Sequence, residues 1–496
     1  MNVSVASTAA VATECDALVV GLYAEDTRKR RGSIQALDRQ LGGQLGAVLE
    51  AEKFQAKTGQ VTYLHTGRRL PPGAIVVVGL GARKDTTAEV LRRAAAAGVR
   101  RARDLGARVV AVEVLGDRLP ARQRAHAVVE GAILGTYTFD RYKKEKPEKV
   151  VEKLTVLTID ARRGREVAAG VRTGEIFGEA TAFARDLVNA PANDVHPTYL
   201  ARVATQIARE HRLRLHVFDR AECRKMGMGA FLGVAAGSEQ PPKFIHLAYS
   251  PAGRPKKRVA VIGKGITFDS GGLDLKPADG MLRMKNDMSG AAAVLAIMRA
   301  LPRLAPSLEA HGLIAATENM PSGSALRPGD VLRAMNGTTI EIGNTDAEGR
   351  LTLADAMSYA VSRVEPDEMI DMATLTGACV VALGPLCSGL FANDQALAER
   401  LLAAAGTAGE RLWQLPLIDE YREGLKSDVA DINNVGPRGG GAITAGLFLK
   451  EFTNGMPWAH LDIAGPAFTD KDGPLGGKGA TGVAVRTLLT YLTDGA

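Results

Sequence analysis

Short apolar runs and amphipathic helical patterns alternate along the first third of the chain. The apolar runs, which have strand character, occupy residues 16–23, 74–81, 108–116 and 154–160. Between them, apolar residues recur at helical spacing over residues 34–52 and 88–106. Strands that alternate with helices are typical of a largely parallel sheet. We therefore expect a small α/β domain over residues 1–165.

The same alternation returns later in the chain. Strand-like runs occupy residues 258–265, 311–318, 368–376 and 458–465, and helical patterns occupy residues 287–301 and 348–364. A further helical pattern over residues 170–187 leads into "NAPANDVHP", whose Pro and Asn residues break helices. We expect a linker helix and junction at 166–190 and a second domain at 191–496. The predicted fold class is α/β with two domains, of which the larger has a mixed central sheet.

Composition narrows the class of protein. A chain of 496 residues is long for one core, so its length favours more than one domain. The four cysteines, Cys15, Cys223, Cys379 and Cys387, form no CxxC pair and are too few for a disulfide-stapled fold. No run approaches the roughly 20 apolar residues of a membrane span, and no targeting pattern opens the chain. We expect a soluble, cytoplasmic protein with no membrane partner.

The net charge of +7 is unevenly distributed. Residues 1–170 contain 29 Lys and Arg against 19 Asp and Glu, whereas the remainder contains 33 against 36. Such asymmetry fits either a DNA-binding face or a basic surface that only maintains solubility. Both readings stay open from the sequence.

Several familiar catalytic motifs are missing from the sequence. "GLGARK" follows a strand at Gly79, but Lys84 stands where a dinucleotide loop requires its third glycine. There is no HExxH pair, no GxSxG elbow and no GxxxxGK[ST] phosphate loop. His460, in an apolar strand, is interpreted as a core residue rather than a ligand. A histidine zinc site and a nucleophilic triad are therefore disfavoured.

Charged residues instead concentrate in three loops at strand ends or helix starts. They are Lys264, Asp269 and Lys276 in "GKGITFDSGGLDLKP", Asp287 in "MKNDMSGAAAVL", and Asp346, Glu348 and Arg350 in "NTDAEGRL". Taken singly, each acid could serve as a helix cap or complement a helix dipole. Four acids together are a costly concentration of charge unless divalent cations bind. The pattern favours two metal ions that activate water for hydrolysis.

Four motifs, "VIGKGITFDSGG", "MKNDMSGAAAV", "NTDAEGRL" and "DMATLTGA", closely resemble the leucyl aminopeptidase (cytosol aminopeptidase) family. The resemblance covers residues 187–489 and is specific because several spaced motifs agree. The first domain resembles the family only in its length and α/β character. The resemblance implies a dinuclear metallo-exopeptidase that releases N-terminal residues from peptides.

The resemblance also implies roles for individual residues. The implied ligands of two divalent ions, Mn²⁺ or Zn²⁺, are Lys264, Asp269, Asp287, Asp346 and Glu348. Asp269 and Glu348 would bridge the ions, and Lys264 would bind as a neutral amine. Lys276 would stabilise the oxyanion of the tetrahedral intermediate, and Arg350 would hold a bicarbonate ion that acts as general base. The implied pocket for the first substrate side chain is formed by Met284, Thr374, Gly377, Ala464 and Ala467.

Further implications concern selectivity and partners. Small and apolar pocket residues would admit leucine or methionine more readily than a charged side chain. The family resemblance implies a homohexamer whose active sites face an internal cavity, and some bacterial members bind DNA. The alternatives are a dinuclear phosphoesterase and a protein that also acts as a DNA-binding regulator.

Overall fold

The computed structural model describes residues 1–158 and 161–494. The chain divides into two units: Met1–Ala182 with Asp470–Lys478, and Phe183–Thr469 with Gly479–Ala496. Each unit is built on its own sheet with helices packed against it. The predicted α/β class is confirmed, as is the combination of a smaller N-terminal part with a larger part built on a mixed sheet.

The first unit contains a six-stranded sheet in the order β1-β6-β5-β2-β4-β3, in which β3 is antiparallel to β4 and the other described pairs are parallel. Its strands are β1 (Asn2–Ala6), β2 (Cys15–Leu22), β3 (Val61–His65), β4 (Pro72–Gly79), β5 (Val109–Glu113) and β6 (Lys153–Leu157). Its helices are α1 (Gly32–Gln40), α2 (Gln44–Ala51), α3 (Ala88–Asp104) and α4 (Ala121–Thr136). Helix α5 (Gly164–Asn189) follows and runs along the chain into the second unit.

The helix expected over residues 34–52 is two helices, so this prediction was wrong in detail. Gly42 and Gly43 separate α1 from α2 and adopt φ values of 64° and 84°. Glycine reaches this left-handed region without a steric penalty, so the pair ends one helix and starts another. The strand expected over residues 154–160 ends at Leu157, and residues 159–160 lie outside the described residues.

The second unit contains an eight-stranded mixed sheet in the order β15-β14-β17-β13-β9-β10-β8-β7. The sheet comprises β7 (Arg214–Phe218), β8 (Lys243–Tyr249), β9 (Arg258–Asp269), β10 (Glu309–Asn319), β13 (Glu368–Ala373), β14 (Ser388–Ala392), β15 (Leu412–Gln414) and β17 (Trp458–Asp462). Two small sheets comprise β11 (Val331–Arg333), β12 (Thr339–Glu341) and β16 (Ile432–Asn433), and β18 (Phe468–Thr469) with β19 (Gly479–Ala480). The neighbours β17, β13, β9 and β10 are parallel, so their carboxyl ends meet at one edge.

Ten helices accompany the sheets of the second unit within the described residues. They are α6 (Pro197–His211), α7 (Arg220–Lys225), α8 (Gly229–Val234), α9 (Ala278–Met281), α10 (Ser289–Leu304), α11 (Gly349–Tyr359), α12 (Gly377–Leu383), α13 (Gln395–Ala408), α14 (Gly441–Lys450) and α15 (Val485–Asp494). A π-helical turn, Ala360–Val364, continues α11.

Helix α10 packs unusually close to the sheet. A Cβ atom added at Gly290 would lie 2.1 Å from the carbonyl oxygen of Met372 in β13. One added at Gly263 in β9 would lie 2.4 Å from the carbonyl oxygen of Gly290. Glycine at both positions therefore allows the start of α10 to approach the two strands that reach the candidate site.

Over residues 1–158 and 161–494, none of the helices combines the length and the apolar character that crossing a bilayer requires.

Candidate metal centre

Three separate segments bring the candidate ligands to the carboxyl edge of the main sheet. Lys264 lies within β9, and Asp269 is the last residue of that strand. Asp287 follows the 3₁₀ turn Met284–Asn286, and Glu348 immediately precedes α11. Because α10 and α11 both pack against β9, these distant parts of the chain meet.

Three acidic side chains form the densest part of the site. Ligand oxygens of Asp269, Asp346 and Glu348 all lie within 4.8 Å of one another. Asp269 and Glu348 are almost completely buried, and Asp346 is half-buried. Burying several ionised carboxylates away from water has a large desolvation cost unless cations compensate their charge. Their hard oxygen atoms are the ligands that divalent cations prefer.

The Lys264 amine lies between two of the acids. Its Nζ is 2.8 Å from Asp287 Oδ2 and 2.9 Å from Glu348 Oε1. Burial opposes the charge on this amine, but the surrounding carboxylates outweigh burial and raise the pKa of Lys264. A Cβ atom added at Gly349 would lie 2.6 Å from Lys264 Cε. The glycine at the start of α11 therefore leaves the space that the lysine side chain occupies.

Lys276 faces the other side of the cluster. Its Nζ lies 2.8 Å from Asp269 Oδ2 and also pairs with Asp346. Burial opposes the charge, but Asp269, Glu348 and Asp346 outweigh it and raise the pKa of Lys276. The side chain is 17% exposed, against 4% for Lys264. Lys276 therefore remains a cation that an incoming molecule can reach.

The chemistry of the carboxylates fits divalent cations. The buried atoms Asp287 Oδ2 and Glu348 Oε1 contact the Lys264 amine, and Asp346 Oδ1 contacts the Lys276 amine. Burial, the largest effect, raises the pKa of Asp287 and of Glu348. A nearby divalent cation would favour the ionised carboxylates and the neutral form of an adjacent lysine amine.

Asn319 is a site residue that the sequence did not reveal. It ends β10, and its Nδ2 donates to Asp269 Oδ1 at 2.9 Å and to the carbonyl oxygen of Thr345 at 3.1 Å. The only sequence signal was a polar residue at the end of a buried strand next to β9. Asn319 links one candidate ligand to the loop that carries two others.

Arg350 and the loop before it are fixed by Asn434, which the sequence also did not reveal. Arg350 Nη1 donates to the carbonyl oxygen of Asn434 at 2.8 Å. The Asn434 side chain accepts from Gly343 N at 2.8 Å and donates to the carbonyl oxygen of Asn344 at 2.7 Å. Burial lowers the pKa of Arg350 to about 10, although Glu348 opposes this shift. Arg350 Nε is buried and donates to none of the described residues.

The residues expected to form the side-chain pocket differ in their links to the acids. Thr374 Oγ1 donates to Asp287 Oδ1 at 2.6 Å, and the Thr374 carbonyl oxygen accepts from Lys264 Nζ at 3.1 Å. Met284 is one turn before Asp287, and its carbonyl oxygen accepts a hydrogen bond from Asp287 N at 3.4 Å. Thr374 and Met284 therefore adjoin the candidate ligands directly.

The other three pocket residues lie on turns that follow strands. Gly377 is exposed at the start of α12, and a Cβ atom added there would have no neighbour within 4 Å. Ala464 and Ala467 follow β17 and are half-buried and buried, respectively. His460, within β17, is buried, with its Nδ1 2.6 Å from Asp371 Oδ1.

Two family models match the chain. The model described as the cytosol aminopeptidase family catalytic domain matches residues 182–489, and the model of that family's N-terminal domain matches residues 19–146. A probable cytosol aminopeptidase of Gloeothece citriformis (strain PCC 7424) is 45% identical over 483 residues, which is 96% of each chain. Another, from Aquifex aeolicus (strain VF5), is 48% identical over 450 residues and covers 90% of this chain and 89% of its own.

Solved structures agree with these relatives. A mutant of tomato leucine aminopeptidase matches with a TM-score of 0.90 and 39% identity, over 100% of this chain and 96% of that one. A bottromycin maturation enzyme in complex with Mn matches with a TM-score of 0.86 and 40% identity, over 97% of this chain and 99% of that one. The N-terminal domain and the catalytic domain of the family are therefore both matched in this chain.

Proposed function

The chain belongs to the cytosol aminopeptidase family and is a metal-dependent aminopeptidase, and we propose that it preferentially releases leucine and other apolar N-terminal residues through a dinuclear metal centre. The observation that carries the proposal is the cluster of Asp269, Asp346 and Glu348 within 4.8 Å, beside Asp287 and the Lys264 amine. Four carboxylates and one amine form a donor set that two divalent ions can share.

The side chains that would hold two divalent ions are those of Lys264, Asp269, Asp287, Asp346 and Glu348. When bound, such ions supply Lewis-acid activation of water and of the peptide carbonyl. Manganese is supported by the related Mn complex, and zinc suits the same donors. Asn319 supports this role because its amide orients the Asp269 carboxylate.

Lys276 and Arg350 have separate proposed roles. The charged Lys276 amine would lie against the oxygen that becomes negative during attack on the peptide carbonyl. Arg350 would hold bicarbonate through its guanidinium group, and the bicarbonate would accept the proton of the attacking water. Lys276 would thus stabilise the negative charge that forms on the carbonyl oxygen, whereas Arg350 would position the base that takes the proton of water.

Selectivity would come from Met284, Thr374, Gly377, Ala464 and Ala467. These side chains are small or apolar, and four of the five carry no hydroxyl group. A pocket of this kind favours leucine or methionine over a charged residue, which would lose its hydration without gaining a partner.

A pair of peptides tests the activity. An aminopeptidase requires a free α-amine, and acetylation delocalises that amine's lone pair into an amide. We expect a leucine-initiated peptide to lose residues stepwise from its N-terminus, as followed by mass spectrometry, and the N-acetylated peptide to remain intact. Removal of metal with a chelator should stop the reaction, and Mn²⁺ or Zn²⁺ should restore it. Cleavage of the acetylated peptide at a comparable rate would contradict the proposal.

Matched variants test the site. Glu348→Ala and Asp346→Ala should remove both activity and metal, whereas Asp330→Ala, which affects an exposed pair with Arg327, should remove neither. Normal kcat with two metals bound in Glu348→Ala would contradict the ligand assignment.

We also propose a homohexamer with active sites facing an internal cavity and a cytoplasmic location. The location is supported by relatives named as cytosol aminopeptidases, and the assembly by the family resemblance. Native mass spectrometry of the intact protein tests the assembly. The relatives described above are named as neither phosphoesterases nor DNA-binding proteins, so the aminopeptidase is the better supported function.

A further inference from the structure

Asp462 is a buried acid that lies between two walls of the proposed side-chain pocket. It is the last residue of β17, is 1% exposed, and pairs in register with Ala373 of β13 and Gly389 of β14. Because β13 and β17 are parallel, the turns that follow them leave the sheet at the same edge. Thr374 and Gly377 follow β13, whereas Ala464 follows β17.

One carboxylate binds both turns. Asp462 Oδ1 accepts from Leu375 N at 3.2 Å on the first turn and from Ala464 N at 3.2 Å on the second. Asp462 Oδ2 accepts from Thr376 Oγ1 at 2.7 Å. Hydrogen bonds to an ionised acceptor are stronger than neutral ones, and a buried N–H left without its acceptor is costly. Asp462 therefore fixes the separation of the two turns.

The hold extends to the candidate metal ligands through one peptide group. The N–H of Leu375 and the C=O of Thr374 belong to the same planar peptide unit and point in opposite directions. Asp462 accepts that N–H, and Lys264 Nζ donates to that C=O at 3.1 Å. The peptide is thereby held from both sides. Its orientation also directs Thr374 Oγ1 toward Asp287 Oδ1.

Thr376 strengthens the same connection. Its hydroxyl oxygen accepts from Cys379 N at 3.0 Å and so caps α12. The same hydroxyl donates a hydrogen bond to Asp462. The first residue of α12 is Gly377, one of the proposed pocket residues. The position of this helix start therefore also depends on Asp462.

We propose that Asp462 is a positioning residue that sets the width of the pocket for the first substrate side chain, by holding the turn after β13 and the turn after β17 at a fixed separation. This inference rests on the proposed aminopeptidase function and adds to it a residue outside the pocket lining. Asp462 orients the walls through the main chain, and its effect is on selectivity between side chains.

The test compares leucine amide with alanine amide. Asp462→Ala removes both acceptor oxygens and should lower the leucine-to-alanine ratio of kcat/KM by about tenfold, mainly by raising KM for leucine amide, because a looser pocket gains less from the larger side chain. Asp462→Asn keeps an oxygen that can accept from Leu375 N and Ala464 N, and it should retain most of the ratio. Metal content should equal that of the wild type in both.

The matched control is Asp355, which is also fully buried and accepts main-chain N–H groups. It binds Phe231 N at 2.8 Å and Met335 N at 2.7 Å. Asp355→Ala should lower the melting temperature without changing the leucine-to-alanine ratio. An equal change of the ratio in Asp355→Ala and Asp462→Ala would reduce Asp462 to a structural role and overturn the inference.

Thr376→Val provides a second variant should Asp462→Ala fail to fold. It preserves the carboxylate and removes the hydroxyl that donates a hydrogen bond to it. The leucine-to-alanine ratio of kcat/KM should therefore fall measurably, but by less than in Asp462→Ala. An unchanged ratio in Thr376→Val, with the rates of both amides reduced equally, overturns the inference. Wild-type protein that hydrolyses neither amide contradicts instead the proposed function.

Discussion

The Asn319 side-chain amide donates a 2.9 Å hydrogen bond to Asp269 Oδ1. Both side chains are buried, and they stand at the ends of the adjacent parallel strands β10 and β9. The amide leaves Asp269 Oδ2 turned toward Lys276 Nζ, 2.8 Å away. Asn319 therefore helps to orient the carboxylate, together with the Gly271 N–H, which donates to the same oxygen at 2.9 Å.

Asn319→Ala should weaken metal binding by about 10- to 100-fold, because partners that orient a ligand typically contribute this much to metal affinity. The measurement is a metal titration of chelator-treated protein, followed by calorimetry. Asn336→Ala is the control, since Asn336 is exposed and accepts a hydrogen bond from Thr338 N within its own turn. Wild-type affinity in Asn319→Ala would show that Asp269 needs no support from β10.

Lys276→Ala should lower kcat by about 10²- to 10³-fold and change KM much less, because a partner of the developing oxyanion acts mainly in the transition state. Steady-state kinetics on leucine amide separates the two constants. Lys450→Ala serves as the control, because Lys450 forms an exposed pair with Asp419. A rise in KM with unchanged kcat would assign Lys276 to substrate binding instead.

Arg350→Ala should reduce the rate less than Lys276→Ala and should remove the response to added bicarbonate. The reason is that Arg350 would bind the base without itself taking the proton. Rates are measured in carbonate-depleted buffer with increasing bicarbonate, for the wild type and the variant. The same stimulation in both would disprove the role of Arg350.

A buried pair of histidines predicts that acid destabilises the fold. His246 Nε2 and His311 Nδ1 are 2.8 Å apart, and His246 Nδ1 contacts the Tyr359 hydroxyl at 3.1 Å. Burial, the largest effect, lowers the pKa of His246 to about 3 and that of His311 to about 4. Glu309, which lies 3.5 Å from His311, opposes the second shift only in part.

Because both pKa values lie below the ordinary value near 6.5, the unfolded chain binds more protons than the folded chain between pH 6.5 and about 4. The free energy of unfolding should therefore be constant above pH 6.5 from this source and fall as the pH drops, by about 2 kcal/mol for each of the two histidines at pH 5. Urea unfolding of metal-free protein at several pH values measures it. His311→Gln should flatten this dependence, and His65→Gln, at an exposed histidine, should leave it unchanged.

Much of the fold followed from local sequence patterns. The long buried strands β9, β10 and β13 and the helices α3, α10 and α11 have enough periodic apolar residues to be identified without tertiary information. The short strands β1 and β3 and helix α4 were missed: β1 and β3 have five residues each, with mostly half-exposed positions. Such elements are stabilised by their neighbours in the sheet rather than by their own pattern.

The candidate site divides in the same way. Acids and lysines in glycine-rich loops can be identified from the sequence, because charged residues are rare at the buried ends of strands. Asn319, Asn434 and Asp462 cannot, since each acts through at least one hydrogen bond to a residue 26 to 91 positions away, and nothing in its own segment distinguishes it. Supporting residues of this kind become visible only when the strands are assembled.

Gly349 gives helix α11 a first residue that is poorly suited to a helix. Replacing a helical glycine with alanine stabilises a protein by about 0.4–1 kcal/mol where the native site accepts the methyl group, but Gly349 is buried in the first turn of α11. Here the added methyl group would lie 2.6 Å from Lys264 Cε and would push the amine out of its place between Asp287 and Glu348. Attempts to make the enzyme more heat-resistant should therefore leave position 349 unchanged. Glycine at this position is needed to keep the Lys264 amine between Asp287 and Glu348.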